Sequence, residues 1–537
     1  MEFRAPAAGD GPAMKPVVCV YGGTAAGVIA AVAAAEQGCK VVLVNPGTHL
    51  GGMTSGGLGA TDMGNPEVIG GKAREFYRRL GAPYGIAEQW RFEPHRAEDT
   101  FAAWLRENGI RVITGTRLTA VEKQGGRIVA LRTGDGGSLP GAVFVDATYE
   151  GDLMAAAGVD WCVGRESRSA YGESLAGVRG SEGRARSNLP VDPYVRPGDP
   201  VSGLLPCLQP GEGGVEGGAD ARVQAYNYRL CLTQDEHLFL PIAPPADYNP
   251  FRYELLARYI RALQDAGKPV KLSSMFLIVK MPNGKTDFNN SGFLSTDFIG
   301  ESLAYPEAAW PERERIARAH EAYIRGLYHF LSTDERVPPH VRREARSWGL
   351  CRDEFTDSGG WPHQLYVREA RRMRGLYVMT QADCEGTTAI PDPVAMGSYP
   401  IDCHACQRIV VGGVIVREGG MDMAAPPYPI SYRALCPRPE QAVNLLVPVC
   451  LSASHVAYGS LRMEPVFMAL GQAAGLAAVH AAASGRAVQE VDAAALGTEL
   501  AQAGQVLTWN KASSRWHGEW AHDPYVVQSY QWWLEAA

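Results

Sequence analysis

The stretch "PVVCVYGGTAAGVIAAVAAAEQGCKVVLVN", residues 16–45, decides the fold. An apolar run rich in β-branched residues ends at Gly22. An Ala-rich helical segment follows and can close at Gly38, and "KVVLVN" forms a second apolar run. Strand, helix and strand in this order open a doubly wound α/β domain. The turn Gly22-Gly23-Thr24-Ala25-Ala26-Gly27 lies between strand and helix, where backbone N–H groups and the helix N-terminus attract a pyrophosphate. Thr24 takes the place of the middle glycine, and its Cβ narrows the approach. Asn45 ends the second strand, where an acid commonly holds a ribose hydroxyl. An amide can do so without charge, or Asn45 is only a turn residue before Pro46.

Outward from this unit, helices are expected near 71–80 and over 94–108. "GIRVITGT" (109–116) is the next parallel strand, "LTAVEKQGGRIVALRT" (118–133) a strand pair turning at Gly125-Gly126, and "GAVFVDATYEG" (141–151) another buried strand. Far along the chain "VNLLVPVC" (443–450) reads as a further buried strand. An Ala-rich helix follows it. The expected organisation is a lead-in over 1–15, a first nucleotide-binding part over 16–165, and an inserted mixed α+β substrate or cap domain over 166–434. The last strand and helix of the first domain fall in 435–485, and a helical tail in 486–537. Helices are expected near 251–266 and 311–331.

The chain has 537 residues, enough for more than one core, with 46% hydrophobic and 20% charged residues. A net charge of -7 without a basic stripe argues against nucleic-acid binding. The 11 cysteines form no disulfide-scaffold pattern, and "MEFRAPAAGDGPAMK" does not read as a signal peptide, so a cytoplasmic, reducing setting is expected. The segment 466–485 contains Gly471-x-x-x-Gly475 but also Gln472 and His480. It reads as a buried soluble helix rather than a membrane span.

The loop "PGTHLGGMTSGGLGATD" (46–62) holds more glycine than an apolar turn needs. Gly51, Gly52, Gly56 and Gly57 let main-chain N–H groups reach phosphate and ring atoms. Together with "GGTAAG", "DATYEGDL" (146–153) and "SASHVAYGSLRMEP" (452–465), this loop resembles the FAD-dependent oxidoreductase family. The likeness runs from about Val17 to Gly485. The resemblance implies a Rossmann-like, two-dinucleotide-binding-domain flavoprotein of the glutathione reductase and succinate dehydrogenase flavoprotein type, with FAD as cofactor. It implies cofactor contacts at residues 22–27, Asn45, Gly51, Gly52, Met53, Ser55, Gly56, Gly57, Leu118, Ala147 and Thr148. It also places Gly459, Arg462 and Met463 at the flavin edge, although Arg462 can instead pair with Glu464. Family members tend to carry an acid at the position of Asn45.

A flavin accepts hydride, and the protein must hold substrate and move a proton, a task suited to histidine. Four of the 12 histidines sit in dense motifs: His49, His363, His404 and His455. "YPIDCHACQR" (399–408) resembles a family block reading "YPMDSHNVQR", which shares Asp402, His404 and Arg408 but not the cysteines; Arg408, like His363, is expected to touch substrate. No second C-x-x-C exists to complete a metal site, and none is expected. The flanks look extended rather than helical, so Cys403 and Cys406 read as wall residues and His404 as the proton handler. His455 braces flavin or substrate, or caps a helix. His49 precedes the glycine loop and touches substrate or is covalently attached to flavin.

In "WPHQLYVREARRMRG" (361–375) a strand would put Arg368, Arg372 and Arg374 on one face and Arg371 on the other. Arg368 or Arg372 is the expected anion anchor, and a solvated charged face is the alternative. Asn289 and Asn290 in "PNGKTDFNNSGFLSTDFIG" (282–300), with Asp297, can bond a polyhydroxylated substrate or hold Asx turns.

The expected function is a dehydrogenase or oxidase acting on a C–H that bears OH or NH in a small polar, carbohydrate-like molecule. One alternative is desaturation or reduction of a C–C bond in a carboxylate. The other is a tRNA-modification protein. The electron acceptor (oxygen, a quinone or a redox protein) is left open.

Overall fold

The computed structural model describes residues 17–179 and 189–510. The expected lead-in over 1–15, and most of the expected tail beyond 510, lie outside these residues. The tail's described part holds a 3-10 turn, Val488–Glu490, and an α-helix, Ala493–Gln502.

The central element is a five-stranded parallel sheet. Its strands are β1 (Val17–Tyr21), β2 (Lys40–Val44), β3 (Arg111–Ile113), β4 (Val143–Asp146) and β5 (Leu445–Leu446), in the spatial order β5-β4-β1-β2-β3. Successive residues of each strand face opposite sides. Val18, Val20, Leu43 and Val145 join the helical core, whereas Cys19, Tyr21, Val44 and Phe144 pack with Ile128 and Leu131. Those last two belong to a three-stranded antiparallel sheet of Leu118–Gln124, Arg127–Thr133 and Ser138–Pro140. Asn444, fully buried, ties the late-arriving β5 to this layer. Its Oδ1 accepts from the Ile128 N–H at 2.8 Å, and its Nδ2 donates to the carbonyls of Ile128 (2.8 Å) and Ala142 (2.9 Å).

Helix α1 (Ala25–Glu36) follows β1, and Thr24 caps it, accepting from the Gly27 N–H at 3.3 Å. Its expected end at Gly38 holds, with φ +81. Helices α2 (Gly71–Gly81) and α3 (Pro94–Glu107) match the sequence expectation closely. After β5 come α4 (His455–Leu461) and α5 (Glu464–Ser484). A Cβ on Gly471 would lie 2.3 Å from the Ala26 carbonyl oxygen, and one on Gly475 2.4 Å from that of Ala30. The G-x-x-x-G therefore seats α5 directly on α1. This helix is long and apolar enough to cross a membrane by composition, but 78% of its apolar window is buried inside the protein.

The middle of the chain adds a five-stranded antiparallel sheet in the order 239–240, 349–351, 230–233, 285–290 and 276–280. Beside it lie helices Glu254–Asp265 and Trp310–Thr333, near the expected positions. The strand over 361–375 that the arginine spacing allowed does not form: Arg372–Met373 pairs with Trp161–Cys162, and Tyr366 makes a single bridge to Asn227. Arg368, Arg371 and Arg372 are all buried, and Arg374 is exposed. Each buried guanidinium meets a carboxylate on a different neighbouring segment, so the two-residue alternation of a strand is not kept.

Candidate functional site

A cleft of about 270 Å³ opens at the carboxyl ends of β1 and β2, lined by Gly22, Gly23, Thr24, Asn45 and Thr148. Gly22 has φ +107, and a Cβ there would lie 2.6 Å from the Ala147 carbonyl carbon. The turn therefore presses flat against the end of β4, where Ala147 accepts from the Thr24 hydroxyl at 2.7 Å. The first N–H groups of α1, at Ala25 and Ala26, have no intrahelical acceptor, which suits an anion. Asn45 accepts from the Gly23 N–H at 3.0 Å and donates to the His49 carbonyl at 2.6 Å, so its amide also braces the turn. The cleft is also lined by Tyr228, Tyr305, Trp310 and Arg313. A glycine turn without Cβ, a helix N-terminus and aromatic faces fit the nucleotide part of a dinucleotide.

His49 and His363 stand on the rim of this cleft, stacked with ring centroids 3.3 Å apart. His49 sits 3.1 Å from Glu98 through Nδ1 and 2.9 Å from Asp357 through Nε2. The Glu98 hydrogen bond raises its pKa. Burial, helped by the charge of His49, pushes His363 down to about 4. His49, His363 and Asp357 bring ligating atoms within 4.8 Å, and both His49 nitrogens are engaged by carboxylates, Nδ1 by Glu98 and Nε2 by Asp357. A second group, Glu93, His95 and Glu354, already holds the Lys285 ammonium, at 2.7 Å from Glu93 and 2.6 Å from Glu354.

Beyond the rim, the glycine loop folds onto its own protein. The Met53 N–H donates to Tyr149 Oη at 2.8 Å, and Ser55 donates to the Leu50 carbonyl. Gly56 lies against Gln364 and Gly57 against the Arg229 carbonyl, too close for a Cβ. Gly51 likewise abuts Phe101, while Gly52 reaches the cleft. Glu464, at the start of α5, accepts from Tyr149 Oη and Thr54 Oγ1, each at 2.7 Å. Burial pushes its carboxyl up to about 7. Leu118 is tied by its N–H to Tyr21 Oη at 3.0 Å, and does not line the cleft.

A second cavity, of about 200 Å³, gathers Asn290, Asp297, Asp402, His404, Arg408 and Arg417. His404 follows the short strand Ile401–Cys403. Its Nδ1 lies 2.6 Å from Asp297 Oδ2, and its Nε2 lies 3.6 Å from Asp402 Oδ2. Its N–H donates to Gln224 at 3.0 Å. Burial opposes charge on Asp297, but Arg368, 3.0 Å away, and His404 outweigh it and hold the carboxyl below its usual range. Asp402 is likewise pulled down to about 2, against its desolvation, by His404 and by Arg462, whose Nη2 is 3.1 Å away.

The segment 363–368 joins the two cavities. His363, Gln364 and Leu365 line the first. Tyr366 Oη then accepts from Arg462 at 2.8 Å, and Arg368 reaches Asp297 of the second. Arg462 pairs with Asp402 and Tyr366, not with Glu464. Arg368 is a buried brace behind Asp297. Arg372 is fully buried, donating to the carbonyls of Gly164 and Ala453 and pairing with Glu166 at 2.6 Å, away from both cavities.

His455 lies 2.9 Å from Glu369 through Nδ1, is 1% exposed, and lines neither cavity. Gly459 packs α4 onto Cys403, a Cβ there falling 2.7 Å from its sulfur, and Met463 is buried in the core. Asn289 accepts from Asn227 at 3.1 Å and from the Asn290 N–H at 2.7 Å, holding the strand end. Cys403 and Cys406 form no disulfide, and burial raises both thiols far above their usual pKa, which is unsuited to a dithiol relay. Arg417 is a site residue that the motifs did not include. It has a sequence signal: "RIVVGGVIVR" (408–417) places two apolar β-branched runs either side of Gly412-Gly413, and that hairpin sets Arg417 opposite Arg408.

A family model described as FAD dependent oxidoreductase matches residues 18–500. No curated protein matches the sequence. Among solved structures, L-amino acid deaminase from Proteus vulgaris aligns at 16% identity and a TM-score of 0.23, over 34% of this chain and 57% of that one. This chain thus spans a little over half of the deaminase. THI4 from Thermovibrio ammonificans aligns at 19% identity and a TM-score of 0.22, over 28% of this chain and 67% of that one. OxyS anhydrotetracycline hydroxylase from Streptomyces rimosus aligns at 14% identity and a TM-score of 0.24, over 32% and 42%.

Proposed function

The chain belongs to the FAD-dependent oxidoreductase family and is an enzyme with FAD as cofactor; on that premise we propose that it oxidises a C–H bearing OH or NH in a small polar molecule held in the second cavity. Bound FAD supplies the acceptor for the hydride. The α1 turn, Asn45 and Thr148 would hold its nucleotide part. Residues 166–434 serve as the substrate domain in this reading.

The observation that carries the proposal is the Asp297–His404–Asp402 group on the cavity wall. Asp297, kept anionic by Arg368, takes the Nδ1–H and fixes the tautomer. Nε2 is then the nitrogen that accepts a proton from a substrate hydroxyl or amine. Arg368 and Arg462 keep both carboxylates charged and in place. They act on the proton acceptor and not on substrate.

Anaerobic mixing of the FAD-loaded protein with panels of alcohols, amines and enoates tests this reading. Bleaching of the flavin by an alcohol or amine is the expected result. If no alcohol or amine bleaches it, while the chemically reduced protein is reoxidised by an enoate, the reading fails in favour of C–C chemistry.

A further inference from the structure

Arg408 and Arg417 stand directly opposite each other in the hairpin of Gln407–Val411 and Val414–Glu418. Like charges in this position repel. Arg408 is 1% exposed, and its guanidinium donates to the carbonyls of Cys207 (3.1 Å) and Phe293 (3.2 Å), while its Nε has no partner. Arg417 donates to the Gly292 carbonyl. Neither pairs with a carboxylate among the described residues, and both line the second cavity. The two acids on that cavity are already matched, Asp297 by Arg368 at 3.0 Å and Asp402 by Arg462 at 3.1 Å. Two positive charges are therefore left over on the wall of a confined, partly apolar space that also holds His404.

We infer that Arg408 and Arg417 form an anchor for the carboxylate of the substrate, so that the molecule oxidised beside His404 is a small hydroxy or amino acid. This rests on the reading of the second cavity as the substrate's place. Unpaired buried charge is costly, and a ligand carboxylate removes that cost while meeting donors in a planar fork. Burial and the neighbouring Arg408 lower the pKa of Arg417, against the weaker opposing pull of Asp297. A phosphate dianion is disfavoured because Asp297 and Asp402 share the cavity and would repel its second charge.

The test is calorimetric titration of the FAD-loaded protein with three acids, each against the neutral alcohol of the same skeleton. The pairs are lactate and propane-1,2-diol, malate and butane-1,2,4-triol, gluconate and sorbitol. At least one acid should bind more tightly than its partner by roughly 10- to 100-fold, the range of a hydrogen bond to a charged group. Arg417→Met should abolish that preference, and Arg417→Lys should keep part of it. If no acid outbinds its alcohol, or if Arg417→Met binds the acid like wild type, the inference is overturned. The wild-type comparison decides by itself should Arg417→Met not fold. His404→Ala separates the two readings, since it should keep acid binding and lose flavin reduction. Flavin bleaching by a neutral alcohol, without any acid preference, would overturn the anchor and leave the oxidation reading standing.

Discussion

Replacing Glu464 by glutamine isolates one buried carboxyl and its effect on stability. Glu464 is 5% exposed, accepts from Tyr149 and Thr54, and has no ion pair among the described residues. Burial raises its pKa from the ordinary 4.5 to about 7. Between these values the folded state holds a proton that the unfolded state has released, so stability falls as pH rises. The group costs nothing below pH 4.5, and its full cost is reached above pH 7. A shift of that size corresponds to about 3 kcal/mol, at roughly 1.4 kcal/mol per pH unit. Glutamine keeps a hydrogen-bonding amide and cannot ionise. Urea unfolding of the FAD-saturated proteins on both sides of this window gives the comparison, provided the m-values agree. Wild type should lose about 3 kcal/mol relative to Glu464→Gln between the acid and the alkaline end. If the two proteins keep the same pH dependence, Glu464 is ionised throughout and the reasoning from burial is wrong.

Three further outcomes are expected. His404→Ala should keep FAD and lose single-turnover flavin reduction by about 10²- to 10⁴-fold, the usual share of a positioned base; a rate within roughly threefold of wild type would remove His404 from proton transfer. Cys403→Ala with Cys406→Ala should leave that rate unchanged, and native wild type should resist iodoacetamide at both sites, because their thiols are buried and protonated; rapid alkylation with loss of turnover would restore a dithiol role. Gly475→Ala should destabilise by about 1–3 kcal/mol and weaken FAD retention, since its Cβ would press on the Ala30 carbonyl and shift α1; an unchanged melting temperature would show that the α1–α5 seam can give.

The parallel sheet was legible because its information is local. Residues 16–45 carry the apolar runs, the cap and the closing glycine of a β-α-β unit within one continuous stretch, "GAVFVDATYEG" carries the remaining inner strand and "VNLLVPVC" one edge strand. The Gly125-Gly126 turn and the extended flanks of His404 were readable for the same reason. The segment 361–375 was not. Its apparent alternation reflects arginines that each seek a carboxylate on a different segment, and sequence spacing does not encode where Asp297, Asp152 and Glu166 stand. The glycines of 46–62 were equally ambiguous. Glycine permits close approach to a ligand or to another part of the chain, and at Gly56 and Gly57 the neighbours are Gln364 and Arg229.

By itself the sequence determined the parallel sheet and the α1 turn, and it marked His404 as a candidate because histidine is the side chain suited to proton transfer. Each depends on neighbours along the chain or on the chemistry of one side chain. Only the tertiary structure decided which charges meet. Asp297, Arg368, Asp402 and Arg462 come from four separate segments and cancel in pairs around His404. Among the described residues Arg408 and Arg417 are left without a carboxylate. Electrostatic pairing acts over a few ångströms of space whatever the sequence separation, so the balance of a cavity can be counted only after folding has brought its walls together.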